Sequence, residues 1–407
     1  MKVIDGGVTA PAGFKAAGGK GGIRKSGKND IALIFSERIC NTAAVFTTNR
    51  LKAACVLITS SHLRQTGGRL HGVVINSGNA NALTGKQGLQ DAREMAYMAA
   101  RTLGAKRNQM AVCSTGIIGE MLPMQKVRNG ISQTIPRLSD SISAGSQAAE
   151  AILTTDTTRK EFAVSLTLSD GRKVTIGGMT KGSGMISPKM AGLHATTLTF
   201  ITTDAPVGTR YLQSCLEKFT EQTFNMISVD GDQSTNDTIL LFSNGAAGGP
   251  KIRKDANFEE GLRRVMWELA RKVALDGEGE TKLLTVRVEG ARNNRDASLA
   301  ALSIIKSNLV KSAVFGGDPN VGRIASAIGN SGCAADFSRL EVCVGPCADV
   351  RIISNGLVTD QKKAAASFMK GREVTLTVRL NGGKGSATSM GCDLTYGYVR
   401  INSAYTT

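Results

Sequence analysis

The stretch HATTLTFITTDA, residues 194–205, places a threonine-rich run directly after a polar, glycine-rich loop, GGMTKGSGMISPKM. A threonine hydroxyl is a weak nucleophile until a base stands beside it, and one solution uses the residue's own backbone amine. A free α-amino group, with a pKa of roughly 7.7–8, can take the hydroxyl proton near neutral pH. An internal threonine has no such amine. The chemistry therefore requires the chain to break just before it, which suits a bendable loop running straight into a strand. Other strand-initiating threonines look similar, so the stretch alone leaves the matter open.

Competing chemistries are poorly supplied. There are only three histidines, His62, His71 and His194, none with a metal-ligand companion four residues on, and no G-x-S-x-G elbow is present. Residues 22–28, GIRKSGK, fit G-x-x-x-x-G-K, but Asn29 stands where Ser or Thr would hold magnesium. With no buried strand before it, this segment reads as a solvated basic loop. The eight cysteines contain no C-x-x-C pair, and Cys343 and Cys347 have no neighbouring histidine to complete a zinc set. Buried free thiols in a reducing compartment are the expectation.

The elements that must position such chemistry are legible in outline. VLITSS, GVVINSG, LLTVRVEG, RLEVCVG, DVRIISNG and EVTLTVRL alternate as strands do. Leu89, Ala92, Ala96, Ala99 and Leu103 step at helical spacing, and Gly104 follows as a C-terminal cap. Phe258, Leu262, Val265, Leu269 and Val273 form a second helical stripe. Strands and helices mix without strict alternation, which predicts an α/β or α+β sandwich.

At 407 residues, two domains are the default. Apolar content of 41% and charged content of 20% exclude a disordered or fibrous chain. No apolar run reaches the ~18 residues of a membrane span, and the early acid in MKVIDGGVTAPAGF speaks against a secretory signal. A cytoplasmic protein without membrane contact is expected. The net charge of +17 admits nucleic acid as a partner, but the basic residues are dispersed, aromatics for stacking are few, and no nucleic-acid motif appears. No nucleic-acid partner is expected.

Longer motifs carry a resemblance. GGMTKGSGMISP…ATTLTFITTDA is similar to the self-cleavage region of the ornithine acetyltransferases, the ArgJ family of glutamate N-acetyltransferases. VINSGNANA, CSTGIIG, AILTTDT, FNMISVDGDQSTND, DGEGETKLL, FGGDPNVGRI and CDLTYGYVRINSAYTT match in order over nearly the whole chain. The resemblance implies a layered α-β-β-α sandwich of the ArgJ and DmpA-like type, with a smaller C-terminal α/β domain. It also implies self-cleavage between Ala195 and Thr196, giving an α chain, 1–195, and a β chain, 196–407, headed by the nucleophile.

The implied reaction is a ping-pong transfer of acetyl from N2-acetylornithine to glutamate through acetyl-Thr196, in paired α and β chains forming a heterotetramer. No metal or organic cofactor is implied, and acetyl-CoA is admitted as a further donor. By the same resemblance Thr115 and the Gly116 amide form the oxyanion hole; a Ser-Thr-Gly turn after the apolar MAVC could expose both groups, or be a plain β-turn. Thr154 or Thr155, Lys181, Glu278, Asn402 and Thr407 bind substrate, with Lys181 facing a carboxylate and Glu278 an ammonium.

One departure is visible. The family places the nucleophile four residues after the proline of GMI-x-P, whereas Thr196 lies eight after Pro188. Aligned from the left, Gly192 takes that position; aligned from the right, Thr196 keeps it and Thr197 is the reserve. The extra residues make a looser loop, and looser loops hold less strain, so the sequence leaves open whether self-processing is slowed or blocked. A rival class is an N-terminal-threonine amidohydrolase or aminopeptidase, which passes the acyl group to water.

Overall fold

The structure, a computed structural model, describes residues 1–187 and 197–404. Its longest strand, Ile31–Phe46, reads IALIFSERICNTAAVF, two apolar runs around a polar centre. At that centre its register against Arg69–Asn79 shifts between Phe35 and Cys40, and a bulge of this kind bends a strand. The strand thereby joins two limbs of one nine-stranded sheet. Its first half pairs with Lys15–Gly19 and Arg69–Asn79, and Met110–Ile117 lies parallel beyond the latter. Its second half pairs with Thr238–Ser243, which continues to Leu198–Thr203, Lys173–Lys181, Lys160–Thr167 and Lys2–Ile4.

Period-two alternation fixes the layers. Phe200, Leu240 and Phe242 of the second limb share a core with Ala32, Ile34, Val73, Ile75 and Val112 of the first. The intervening Ile201, Ile239 and Leu241 point the other way, against Thr209–Gln222 and Ala256–Ala274. The first limb is covered by Ala54–Thr66 and Gly85–Thr102. The layers are thus helix, sheet, sheet, helix. The stripe predicted for Ala256–Ala274 is fully buried, and each such side chain contributes roughly 1.5–3 kcal/mol.

A smaller second domain is built on a seven-stranded sheet, mostly from Leu283–Ala291 to Gly385–Cys392 with Ile227–Ser228 at one edge. Asn294–Lys306, Asn308–Phe315 and Val321–Gly329 cover one face. From the other, Leu283, Met390 and Cys392 enter the core around Ala256–Ala274. Strands on either side of the 195/196 position share the larger sheet, since Leu198–Thr203 lies between Lys173–Lys181 and Thr238–Ser243.

Two expectations need correction. VLITSS is not a strand; it lies within the helix Ala54–Thr66, where Val56, Ile58, Thr59 and His62 are buried together. Helical packing overrides the β-branched propensity there, and Gly67 ends the helix in the left-handed region, φ +63°. Among the cysteines, all free, Cys347 is exposed and Cys333 half-buried; the other six are buried. No single described helix is long and apolar enough to cross a membrane.

Candidate active site

Seven of the expected site residues line one cavity of about 170 Å³: Thr115, Gly116, Thr154, Thr155, Lys181, Glu278 and Asn402. It opens beside Thr197 and Leu198, at the head of the central strand Leu198–Thr203. Thr196, Ala195 and Thr407 lie outside the described residues, as does His194.

Thr115 and Gly116 close the strand Met110–Ile117, not a free β-turn. Gly116 sits at φ +134°, and a Cβ there would stand 2.3 Å from the Gly78 carbonyl carbon and 2.5 Å from the Asn79 nitrogen. Only glycine permits that approach. Asn236 braces the place from behind, its Nδ2 donating to the carbonyls of Ser114 at 2.8 Å and Ala80 at 2.5 Å.

Lys181 ends the strand Lys173–Lys181 and enters the cavity from below. Its Nζ donates to Thr154 Oγ1 at 2.7 Å and Thr115 Oγ1 at 3.4 Å. An ammonium can only donate, so both hydroxyl oxygens accept and each hydroxyl hydrogen is left for another acceptor. For Thr115 this is the arrangement an oxyanion donor needs. Burial pushes the Lys181 pKa down, opposed chiefly by Asp156, whose Oδ2 lies 3.9 Å away. Burial also works against charge on Asp156, but Lys181 and Lys160 outweigh it and hold this carboxyl well below the usual range.

Glu278 comes from the turn after Ala256–Ala274. Its N–H donates to Ser183 O at 3.1 Å, and its Oε2 accepts from Asn402 Nδ2 at 2.8 Å. A Cβ on Gly184 would meet the Glu278 carboxylate at 2.4 Å, so glycine at 184 leaves the carboxylate its place. Asn402 lies on the helix Tyr396–Ala404, and its bond to Glu278 ties that helix to the cavity. Terminal segments usually fray unless tied down in this way.

Thr197, the reserve nucleophile, shares a hydrogen bond with Thr199 Oγ1 at 3.0 Å, which in turn meets Thr180 Oγ1 at 2.6 Å. The remaining histidines do structural work: His62 bonds the Met110 carbonyl and His71 the Ser36 carbonyl. In the basic loop, Asp30 accepts from the N–H groups of Gly21, Ile23 and Arg24, so these three amides are already engaged by a carboxylate of the chain itself. Asp156, Asn236 and Asp237 fall within AILTTDT and FNMISVDGDQSTND, yet nothing in their spacing announced them. Asn236 and Asp237 line the cavity, and Asp156 stands behind it.

The model of the ArgJ family matches residues 15–407. The chain belongs to the ArgJ family. It is 47% identical over 414 residues to the arginine biosynthesis bifunctional protein ArgJ of Symbiobacterium thermophilum, covering 100% of both. With the protein of the same description from Caldanaerobacter subterraneus subsp. tengcongensis the identity is 43% over 413 residues, again with 100% of each covered. Among solved structures, the ornithine acetyltransferase of Mycobacterium tuberculosis complexed with ornithine is 41% identical, at a TM-score of 0.43. That match covers 47% of this chain and 99% of the solved one. This ArgJ-family chain is an acetyltransferase of arginine biosynthesis.

Proposed function

We propose that the chain cuts itself between Ala195 and Thr196 and then carries acetyl from N2-acetylornithine to glutamate on the Thr196 hydroxyl. In the precursor, the hydroxyl oxygen attacks the Ala195 carbonyl and the peptide nitrogen leaves, giving an ester. The nitrogen that leaves is the free α-amine of Thr196, and water hydrolyses the ester, so Ala195 becomes a carboxylate and the Thr196 hydroxyl is restored. The amine then takes the hydroxyl proton as Thr196 Oγ attacks the acetyl carbonyl of the donor. Thr115 Oγ and the Gly116 N–H stabilise the oxyanion, a contribution of about 2.7–4 kcal/mol per donor in comparable sites. The proton passes to the departing α-nitrogen of ornithine. Glutamate's amine attacks the acetyl ester by the reverse route and leaves as N-acetylglutamate.

One observation carries this reading. A hydroxyl and a glycine amide, an ammonium and a carboxylate converge on one cavity beside the strand that Thr196 precedes. Acetylornithine carries a carboxylate near the acetyl group and an ammonium at the far end of its side chain, so it presents one charge to Lys181 and the other to Glu278. Either Thr154 or Thr155 contacts it from the intervening wall, and Asn402 and Thr407 close the pocket. No metal or organic cofactor takes part; acetyl-CoA serves, where used, as an alternative acetyl donor. The α and β chains pair as a heterotetramer in the cytoplasm.

The test is direct. Purified protein migrates as two fragments, the second beginning Thr-Thr-Leu, whereas Thr196→Ala stays a single chain without transfer activity. Acetylornithine with glutamate yields N-acetylglutamate in step with ornithine. Stoichiometric free acetate instead would indicate the hydrolase class.

A further inference from the structure

Behind the cavity, next to Lys181, lie three charges that the steps above do not use. The side chains of Lys160 and Asp156 are wholly buried, and Asp276 is 6% exposed. Lys160 Nζ donates to Asp156 Oδ1 at 2.7 Å, to Thr158 O at 3.2 Å and, in a tight contact, to Asp276 Oδ2. Asp156 also accepts from the N–H of Thr154 at 3.0 Å and of Gly182 at 2.7 Å. Asp276 is held in the same way, by the N–H groups of Thr157 at 3.1 Å and Thr158 at 3.3 Å and by the Thr157 hydroxyl. With Lys181 at 3.9 Å from Asp156, the row reads Lys181, Asp156, Lys160, Asp276.

Both ends of this row adjoin the site. It starts at the ammonium inside the cavity and ends two residues before Glu278, the cavity's carboxylate. Buried ion pairs contribute little net stability compared with well-packed apolar residues, because desolvation offsets their attraction. Stability is therefore a weak reason for burying these charges. Geometry is a better one, since each carboxylate accepts from several donors and cannot rotate.

Resting on the reading that Lys181 takes a substrate carboxylate and Glu278 its ammonium, we propose that Asp156, Lys160 and Asp276 are positioning residues that set the span between the two charges. The span selects the side-chain length of the amino-acid donor. Lys160 and Asp156 precede the cut and Asp276 follows it, so the row also ties the Glu278 loop to the α chain across the break. The charged groups facing Lys181 are Asp156, Lys160, Glu278 and Asp237, together with the Thr115 and Thr154 hydroxyls. Losing the Asp156 charge leaves Lys160 to repel Lys181.

The experiment uses the cleaved full-length enzyme with three donors: N2-acetylornithine, N2-acetyllysine, one methylene longer, and N2-acetyl-2,4-diaminobutyrate, one shorter. Wild type prefers acetylornithine. Asp276→Asn loses about ten-fold of that preference, the range one methylene commands, and loses it through KM with kcat nearly retained. Asp156→Asn moves the alkaline loss of ornithine affinity to lower pH, which a merely structural role would not do. If Asp276→Asn fails to fold, Asp276→Glu and Lys160→Arg keep the charges but alter the reach, and the same loss of preference is expected. A folded variant with the wild-type donor preference, or Asp156→Asn with an unmoved pH limb, overturns the proposal while the acetyltransfer reading stands. Wild type that transfers nothing from acetylornithine overturns both.

Discussion

Lys181 gives the residue scale its sharpest expectation. Burial favours its neutral form, so it loses its proton below the ordinary lysine range, and a substrate carboxylate then loses its partner. Affinity for ornithine should therefore fall as pH rises, before free lysine would titrate; calorimetry across the alkaline range checks this, and constant affinity through that range contradicts it. Glu278→Gln keeps the shape and the Asn402 contact but removes the charge facing the donor's ammonium. A charged hydrogen bond of this kind is worth about 1.5–3 kcal/mol, so the KM for acetylornithine should rise about 10- to 150-fold. An unchanged KM removes Glu278 from the site. Lys181 and Glu278 were legible only through the length and order of the motifs around them. Asn236 escaped notice because its partners Ala80 and Ser114 lie far along the chain, and Asp156 because its link to the site runs through Gly182 and Lys181 on another strand, which spacing cannot reveal.

At the scale of elements, two glycines hold the site in register. Gly116→Ala must relieve both a left-handed φ and a 2.3 Å approach to backbone, at a cost of roughly 3 kcal/mol or more. A lowered melting temperature together with a lowered kcat is expected. For Gly184→Ala the nearest atoms are those of the Glu278 carboxylate, the tip of a side chain. This substitution should leave the melting temperature within a few degrees while displacing the Glu278 carboxylate and raising KM. Steady-state kinetics beside thermal unfolding separates the two cases. The helix stripe of Ala256–Ala274 could be read from the sequence because 3.6-residue periodicity is local. VLITSS could not, because its alternation fits a strand and only contact with the sheet beneath decides for a helix. Nor did the sequence announce that Ile31–Phe46 bends across two layers, although its polar SER centre marks the place.

For the whole molecule, the decisive feature is that strands on both sides of position 195/196 interleave in one sheet. Cleavage there cannot release either half without opening a buried core. The two fragments should co-elute in native chromatography and separate only in denaturant; separation in plain buffer contradicts this. The layered architecture followed from the whole-chain resemblance, whereas periodicity alone yielded only a mixed α/β sandwich. The central claim concerns one atom, the Thr196 hydroxyl oxygen, and mass spectrometry reaches it most directly. Protein incubated with N2-acetylornithine and no glutamate is digested and its peptides are sequenced. One acetyl group on the first residue of the 196–407 fragment, discharged when glutamate is added, is the predicted result. Acetyl on any other residue, or on none, contradicts the account.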